Sequence, residues 1–263
     1  MSGALQAVFQ NQRSFAAPPG QELFDTAGTF SWVAPTGVTK VSVVAIGSGG
    51  FIGLDPVPGN RKFAGGGGGG LGYKNNITVI PGNSYSVVVA APAFSYCSCG
   101  FPSSFNGSCA IGYGGSKSTI GGTGGAGGGF VGDGGGSGGA GGNSSIPGGQ
   151  NAGGFGGTGG YSGNGGKGGC GGGARSPGAD GAGGGGGGGG AINPDGGGYA
   201  GNTGFLGQGA NGVGGKKTAC AGLCGTSGSG GRAGATTSVC KGAVRIIWPG
   251  CARAFPSTRT ANE

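Results

Sequence analysis

Between Gly112 and Ala235 about half the residues are glycine, and much of it falls in unbroken triplets. Gly121-Gly122-Thr123, Gly124-Gly125-Ala126 and Gly127-Gly128-Gly129 form one set, and Gly153-Gly154-Phe155, Gly156-Gly157-Thr158 and Gly159-Gly160-Tyr161 another. Gly165-Gly166-Lys167, Gly168-Gly169-Cys170 and Gly171-Gly172-Gly173 form a third. A period of three fits neither an α-helix nor a pleated strand. It fits the extended left-handed helix with three residues per turn, which makes no hydrogen bonds within itself.

Two fates are open to such a segment. Glycine loses the most entropy on folding and has no side chain to bury, which favours a flexible linker. Against that, the absence of Cβ lets neighbouring three-residue helices approach until N–H meets C=O across the gap, so that every backbone group pairs laterally. Order is favoured here because only 8% of the chain is charged. The interruptions also carry turn chemistry: Phe130–Asp133, Asn143–Gly148, Ser176–Asp180 and Asn193–Gly196. They cut the region into runs that each span about 25–45 Å at ~3.1 Å per residue. Collagen is excluded, because it needs a single glycine every third residue and abundant proline.

Val, Ile, Phe and Trp collect at the two ends of the chain, and both ends read as β. Gly28–Ala34 alternates, Ala34-Pro35-Thr36-Gly37 turns, and Val38–Ile46 becomes apolar on both faces, as a central strand does. Asn76–Ile80 and Ser84–Ala90 flank Pro81-Gly82-Asn83, and Gly242–Trp248 is the last strand. A strand arriving after the glycine region has to pair with the N-terminal ones, since alone it buries nothing. The expected fold is mostly β: a small β-sandwich of the N-terminal strands plus the last strand, with a polyglycine II bundle inserted between them. The divisions are residues 1–22 as an extended docking arm, 23–111 and 236–250 as the sandwich base, 112–235 as the bundle and 251–263 as a tail.

The chemistry available is narrow. There is no histidine, which removes the usual general base, the commonest metal ligand and the Ser/His and Cys/His pairs. The seven acidic residues are spread out, and Asp55, Asp133, Asp180 and Asp195 all neighbour Pro or Gly. The glycine-rich matches to phosphate-binding loops lack a strand before and a helix after. The expectation is therefore no enzyme, no cofactor and no metal. A net charge of +8 is scattered, with no Lys/Arg run longer than Arg61-Lys62 or Lys216-Lys217, so a nucleic-acid partner is not expected. No apolar stretch approaches a membrane span and residues 1–10 lack the features of a signal peptide. Synthesis in a cytoplasm without membrane insertion is the expectation. The eight cysteines, Cys97, Cys99, Cys109, Cys170, Cys220, Cys224, Cys240 and Cys251, leave three readings open. Disulfides weigh most, because they compensate for thin apolar burial; free thiols and a zinc site are the others.

The run GTFSWVAPTGVTKVSVVAIG at Gly28–Gly47 resembles the opening of glycine-rich modules in bacteriophage tail fibres and adhesins, and ITVIPGNSYSVVV at Ile77–Val89 resembles their second element. The ending GAVRIIWPG at Gly242–Gly250, with RAFPST at Arg253–Thr258 and FQNQRSF at Phe9–Phe15, is similar to structural proteins of phages of marine cyanobacteria. The chain departs from that pattern in its cysteine count and in the Leu54–Phe63 and Ala91–Ser116 insertions. The resemblance implies a virion protein, made in the host cytoplasm and exposed on the particle. It would be a tail-fibre or tail-tip component presenting loops to a protein or polysaccharide receptor on the bacterial surface. Other virion proteins and copies of itself, as a homo-oligomer, are the further partners. The alternative is a non-adhesive fibre, capsid decoration or self-assembling appendage subunit. Phe130, Phe155, Tyr161, Tyr199 and Phe205 are the expected receptor contacts, because aromatic rings give large contact area at small entropic cost. Each also has a competing structural reading, covering a bundle face or plugging its end.

Overall fold

The computed structural model describes residues 17–53, 62–93, 98–145, 152–172, 175–190, 198–215 and 241–257. Among them there is no α-helix; the regular elements are ten strands in two antiparallel sheets. One sheet runs β1 (Gly20–Phe24), β10 (Ala243–Trp248), β3 (Lys40–Ile46), β4 (Leu71–Thr78), β9 (Gly134–Gly136). The other runs β2 (Gly28–Val33), β5 (Ser84–Val89), β6 (Ser103–Phe105), β7 (Ala110–Gly112), β8 (Phe130–Val131).

The turns expected from the sequence are present for the expected reason. Val38 N–H bonds Pro35 O with Gly37 at φ 82°, and Asn83 N–H bonds Ile80 O with Gly82 at φ 82°. Both are type II turns, which require the left-handed position that glycine fills. The last strand pairs between β1 and β3, with Ile246 opposite both Glu22 and Val43.

Alternation along β3 and β10 sends residues to both faces. Val41, Val43, Ala45, Val244 and Ile246 meet Trp32, Val87, Val89, Phe105 and Ala110 of the second sheet in one apolar cluster. Val44, Ile46, Leu71, Ala243 and Ile247 point the other way, into a second cluster closed by Tyr161, Phe205 and Phe255. Arg245, on that same face, is buried; its guanidinium donates to Phe205 O (2.8 Å) and to Gln21 Oε1 of β1.

The glycine runs make lateral backbone bonds that step by three. Gly65 and Gly68 donate to Gly142 and Gly139; Gly67 and Gly70 donate to Ser116 and Tyr113; Gly156 and Gly159 donate to Gly66 and Gly69. Gly125 and Gly128 donate to Gly65 and Gly68, and Gly50 and Gly47 to Gly67 and Gly70. The 64–70 run is thus bonded to segments 47–50, 113–116, 125–128, 139–142 and 156–159. The 185–190 run has the same kind of surroundings in 155–158, 166–169, 179–182, 198–201 and 212–215. Spacing this close excludes any side chain: a Cβ at Gly68 would stand 2.0 Å from the Gly157 carbonyl oxygen.

These bonds redraw the expected divisions. Segments 47–53 and 64–70, inside the expected base, belong to the lattice, whereas β8 and β9, inside the expected bundle, belong to the sheets. β1 begins within the segment read as an extended docking arm. Ser176–Asp180, expected as a turn, is extended lattice: Ser176, Ala179 and Ala182 donate in steps to Cys170, Lys167 and Asn164. The turn falls instead at Gly183 and Gly184, both with positive φ. Asn193–Gly196 lies outside the described residues.

Candidate functional site

The direction of the runs decides where the turns go. Residue 47 leaves β3 and residue 70 enters β4, and Gly47 bonds Gly70. Residues 53 and 62 are therefore at the end of the lattice remote from the sheets. By the same bonds 113–119 runs outward and 123–129 back, 136–143 outward and 153–160 back, 163–171 outward and 176–182 back. One set of turns and run ends, at 53, 62, 119–123, 143–145, 171–172 and 175–176, collects at the far end.

The described part of that end is tied together by its own bonds. Gly122 N–H donates to Thr119 O (3.1 Å), Thr119 N–H to Thr123 O (2.9 Å) and Thr123 N–H to Thr119 Oγ1 (3.1 Å). Ser144 N–H then donates to Gly122 O (2.7 Å), Gly124 N–H to Asn143 Oδ1 (2.9 Å), and Cys170 N–H to Ser176 Oγ (2.7 Å). Ser118 anchors the 119–123 turn from beneath: its buried Oγ donates to Ala64 O (2.8 Å) and accepts Gly53 N–H (2.8 Å). Above it a cavity of about 320 Å³ is lined by Lys117, Ser118, Thr119 and Ile120. Ile120 is 53% exposed and presents its apolar side chain at the mouth of this cavity.

Charge at this end has one sign among the described residues. Lys62, Lys117 and Arg175 flank the turns. The described acidic side chains lie elsewhere and three of them are engaged: Asp25 with Lys241 (3.9 Å), Asp133 accepting Asn75 N–H (2.8 Å) and Asp180 accepting Gly214 N–H (2.7 Å). No group of three His, Cys, Asp or Glu side chains able to hold a metal occurs among the described residues. No helix in them is long and apolar enough to cross a membrane.

The aromatic residues expected as receptor contacts are placed differently. Phe155 is buried with Phe51, Ile52, Ala152 and Ala200; Phe205 is buried against the outer face of the first sheet. Tyr161 is buried at a near-end turn, stacked on Phe255 at 5.5 Å, with its OH donating to Gly204 O (3.0 Å) and accepting Gly207 N–H (3.3 Å). Burial pushes the Tyr161 phenol well above its ordinary range, although the Gly207 bond and the Arg245 charge pull it down. These three are therefore corrected from surface contacts to core. Phe130 is half-buried on β8, the edge strand of the second sheet, and Tyr199 is half-buried close to the far end. Rings in triplet runs sit on the one face that carries side chains, and here that face points inward. Lys117 and Ile120, which no aromatic position marks, are exposed side chains bordering the cavity at this end. Their signal was the interruption Lys117-Ser118-Thr119-Ile120 between two glycine runs.

Cys99, Cys109, Cys170 and Cys251 are free thiols; Cys97, Cys220, Cys224 and Cys240 lie outside the described residues. No family model matches the chain, and no characterised protein matches its sequence.

Proposed function

We propose that the chain is a phage virion protein of the tail-fibre or tail-tip type, in which a polyglycine II bundle standing on a β-sandwich holds turns at its far end against the host cell surface. The observation carrying this reading is the convergence of turns from laterally bonded runs at the end opposite the sheets. The three-residue step of the lateral bonds supports the polyglycine II assignment. The apolar cluster shared by the two sheets supports the sandwich. Turns fixed at both ends by a lattice lose little further entropy on binding, which is what an attachment face needs. The attachment role and the virion setting rest on the tail-fibre resemblance of the two chain ends.

A second reading, a passive virion fibre or decoration subunit, is favoured by one specific surface. Runs 123–129, 137–143, 164–170 and 176–182 are bonded edge to edge in that order. Their third positions point outward: Thr123 and Ala126, Ala140 and Asn143, and Ala179 and Ala182 on three of the runs, and Asn164 and Lys167 on the run between. A face of mostly small side chains, with Lys167 rising from one run, suits packing against other virion subunits.

The test is binding of fluorescently labelled full-length protein to intact cyanobacterial cells, with competition of phage adsorption. Saturable binding that blocks adsorption is the expected result. Absence of binding by folded protein, in both monomeric and assembled form, removes the attachment reading and leaves the fibre.

A further inference from the structure

The attachment reading says nothing of what is bound, and the far end carries chemistry that narrows it. We infer that the cavity beside the Thr119–Gly122 turn is a subsite for a sugar ring bearing one acidic group, carboxylate or phosphate; this rests on the attachment reading of the same end. Three observations converge. The cavity, about 320 Å³, is at the small end of the range for ligand pockets and fits a single sugar unit rather than a peptide segment. Its wall is mainly apolar, with exposed Ile120 offering a surface to the C–H face of a ring, and Lys117 is the cationic side chain in its lining. Lys117 has no acidic neighbour among the described residues, and the Lys62 stem packs on the other flank of the turn, against Gly122. A second cation thus stands beside the same turn, and no described carboxylate neutralises either.

The floor is built rather than incidental. Ser118 is 1% exposed and spends its hydroxyl on Ala64 O and Gly53 N–H, while Thr119 Oγ1 is held by Thr123 N–H. The backbone turn and the Ser118 and Thr119 hydroxyls are therefore held before a ligand arrives, and the cost of ordering them falls on folding. The two side chains left to interact are Lys117 and Ile120. An ammonium contacting a carboxylate or phosphate at a rim open to water is salt-sensitive, so affinity falls as ionic strength rises.

The experiment is titration of the full-length protein with trigalacturonate, glucose 6-phosphate and maltotriose, followed by NMR or calorimetry, for the native chain and for Lys117→Gln, Ile120→Ser and Lys74→Gln. Lys117 and Ile120 are exposed, so neither change disturbs the lattice; thermal melting checks this. The expected result is binding of one or both acidic probes, which arm binds naming the acidic group. Binding should be about tenfold weaker in Lys117→Gln and Ile120→Ser, unchanged in Lys74→Gln, and not matched by maltotriose. Maltotriose binding as well as the acidic probes, or acidic binding untouched by Lys117→Gln, overturns the subsite, as does no binding of any probe. The cell assay separates the two proposals: retained, saturable attachment of Lys117→Gln with native affinity sinks the subsite but not the attachment role.

Discussion

At the residue scale, Tyr161 shows how a triplet run spends its side chains. Residues 152, 155, 158 and 161 recur every third position and are all buried, while the glycines between them face neighbouring runs. Tyr161 ends the series and closes the outer face of the first sheet, where its hydroxyl satisfies Gly204 O and Gly207 N–H. Tyr161→Phe should cost about 1 kcal/mol near pH 7, by loss of that bonding. The folded phenol holds its proton above the ordinary tyrosine range because burial disfavours the phenolate. Its contribution is therefore complete below the unfolded pKa near 10 and declines as pH rises past it. Urea midpoints measured from pH 8 to 11.5 should fall more steeply for the native chain than for Tyr161→Phe, so the gap narrows with pH. Parallel curves would mean that the phenol ionises freely in the folded protein.

At the element scale, the lattice depends on backbone approach more than on buried side chains. Gly157 donates to Gly166 O (2.9 Å) and accepts from Gly139 (2.8 Å), and a Cβ there would lie 2.0 Å from Gly186 O. Gly157→Ala has to push a neighbouring run away and stretch bonds on both sides. The expected cost is about 1–3 kcal/mol or more, lowering the melting temperature by several degrees. Gly204→Ala is the matched control, because nothing lies within 4 Å of its Cβ position, and it should melt like the native chain. Equal melting of the two variants would show that the runs are not held at the described spacing. The sheets work by the ordinary rule: β3 and β10 are central and buried on both faces, while β1 is held by strand pairing and by the Arg245–Gln21 contact.

At the scale of the whole molecule, base and lattice share a boundary that neither closes alone. Val44, Ile46, Leu71 and Ile247 face Tyr161 and Phe205 of the glycine region, so this region is a wall of the core as well as an excursion from it. Excising residues 137–240 and joining Gly136 to Lys241 through a short flexible linker should leave that face bare and yield an aggregating or molten product. A soluble monomer with dispersed amide resonances would show instead that the sheets fold independently.

How much of this was readable beforehand follows from the range of the interactions involved. The strands at Gly28–Val33, Lys40–Ile46 and Ser84–Val89, the two type II turns and the glycine triplets are local, set by alternation, by glycine's left-handed φ and by the absent Cβ. Short β6, β7, β8 and β9 were not readable, because two or three residues carry no period and exist only through their partners. Nor was the side to which Phe155, Tyr161 and Phe205 turn, since a triplet marks one face of a run without saying what lies beyond it. The same holds for the far end, where Lys117 and Ile120 come to border a cavity. The sequence by itself determined the repeat and therefore how closely chains can approach. Only the tertiary structure decided which runs are neighbours, because lateral hydrogen bonds between glycines are chemically alike, and their pairing is selected by the sheets and turns that end each run.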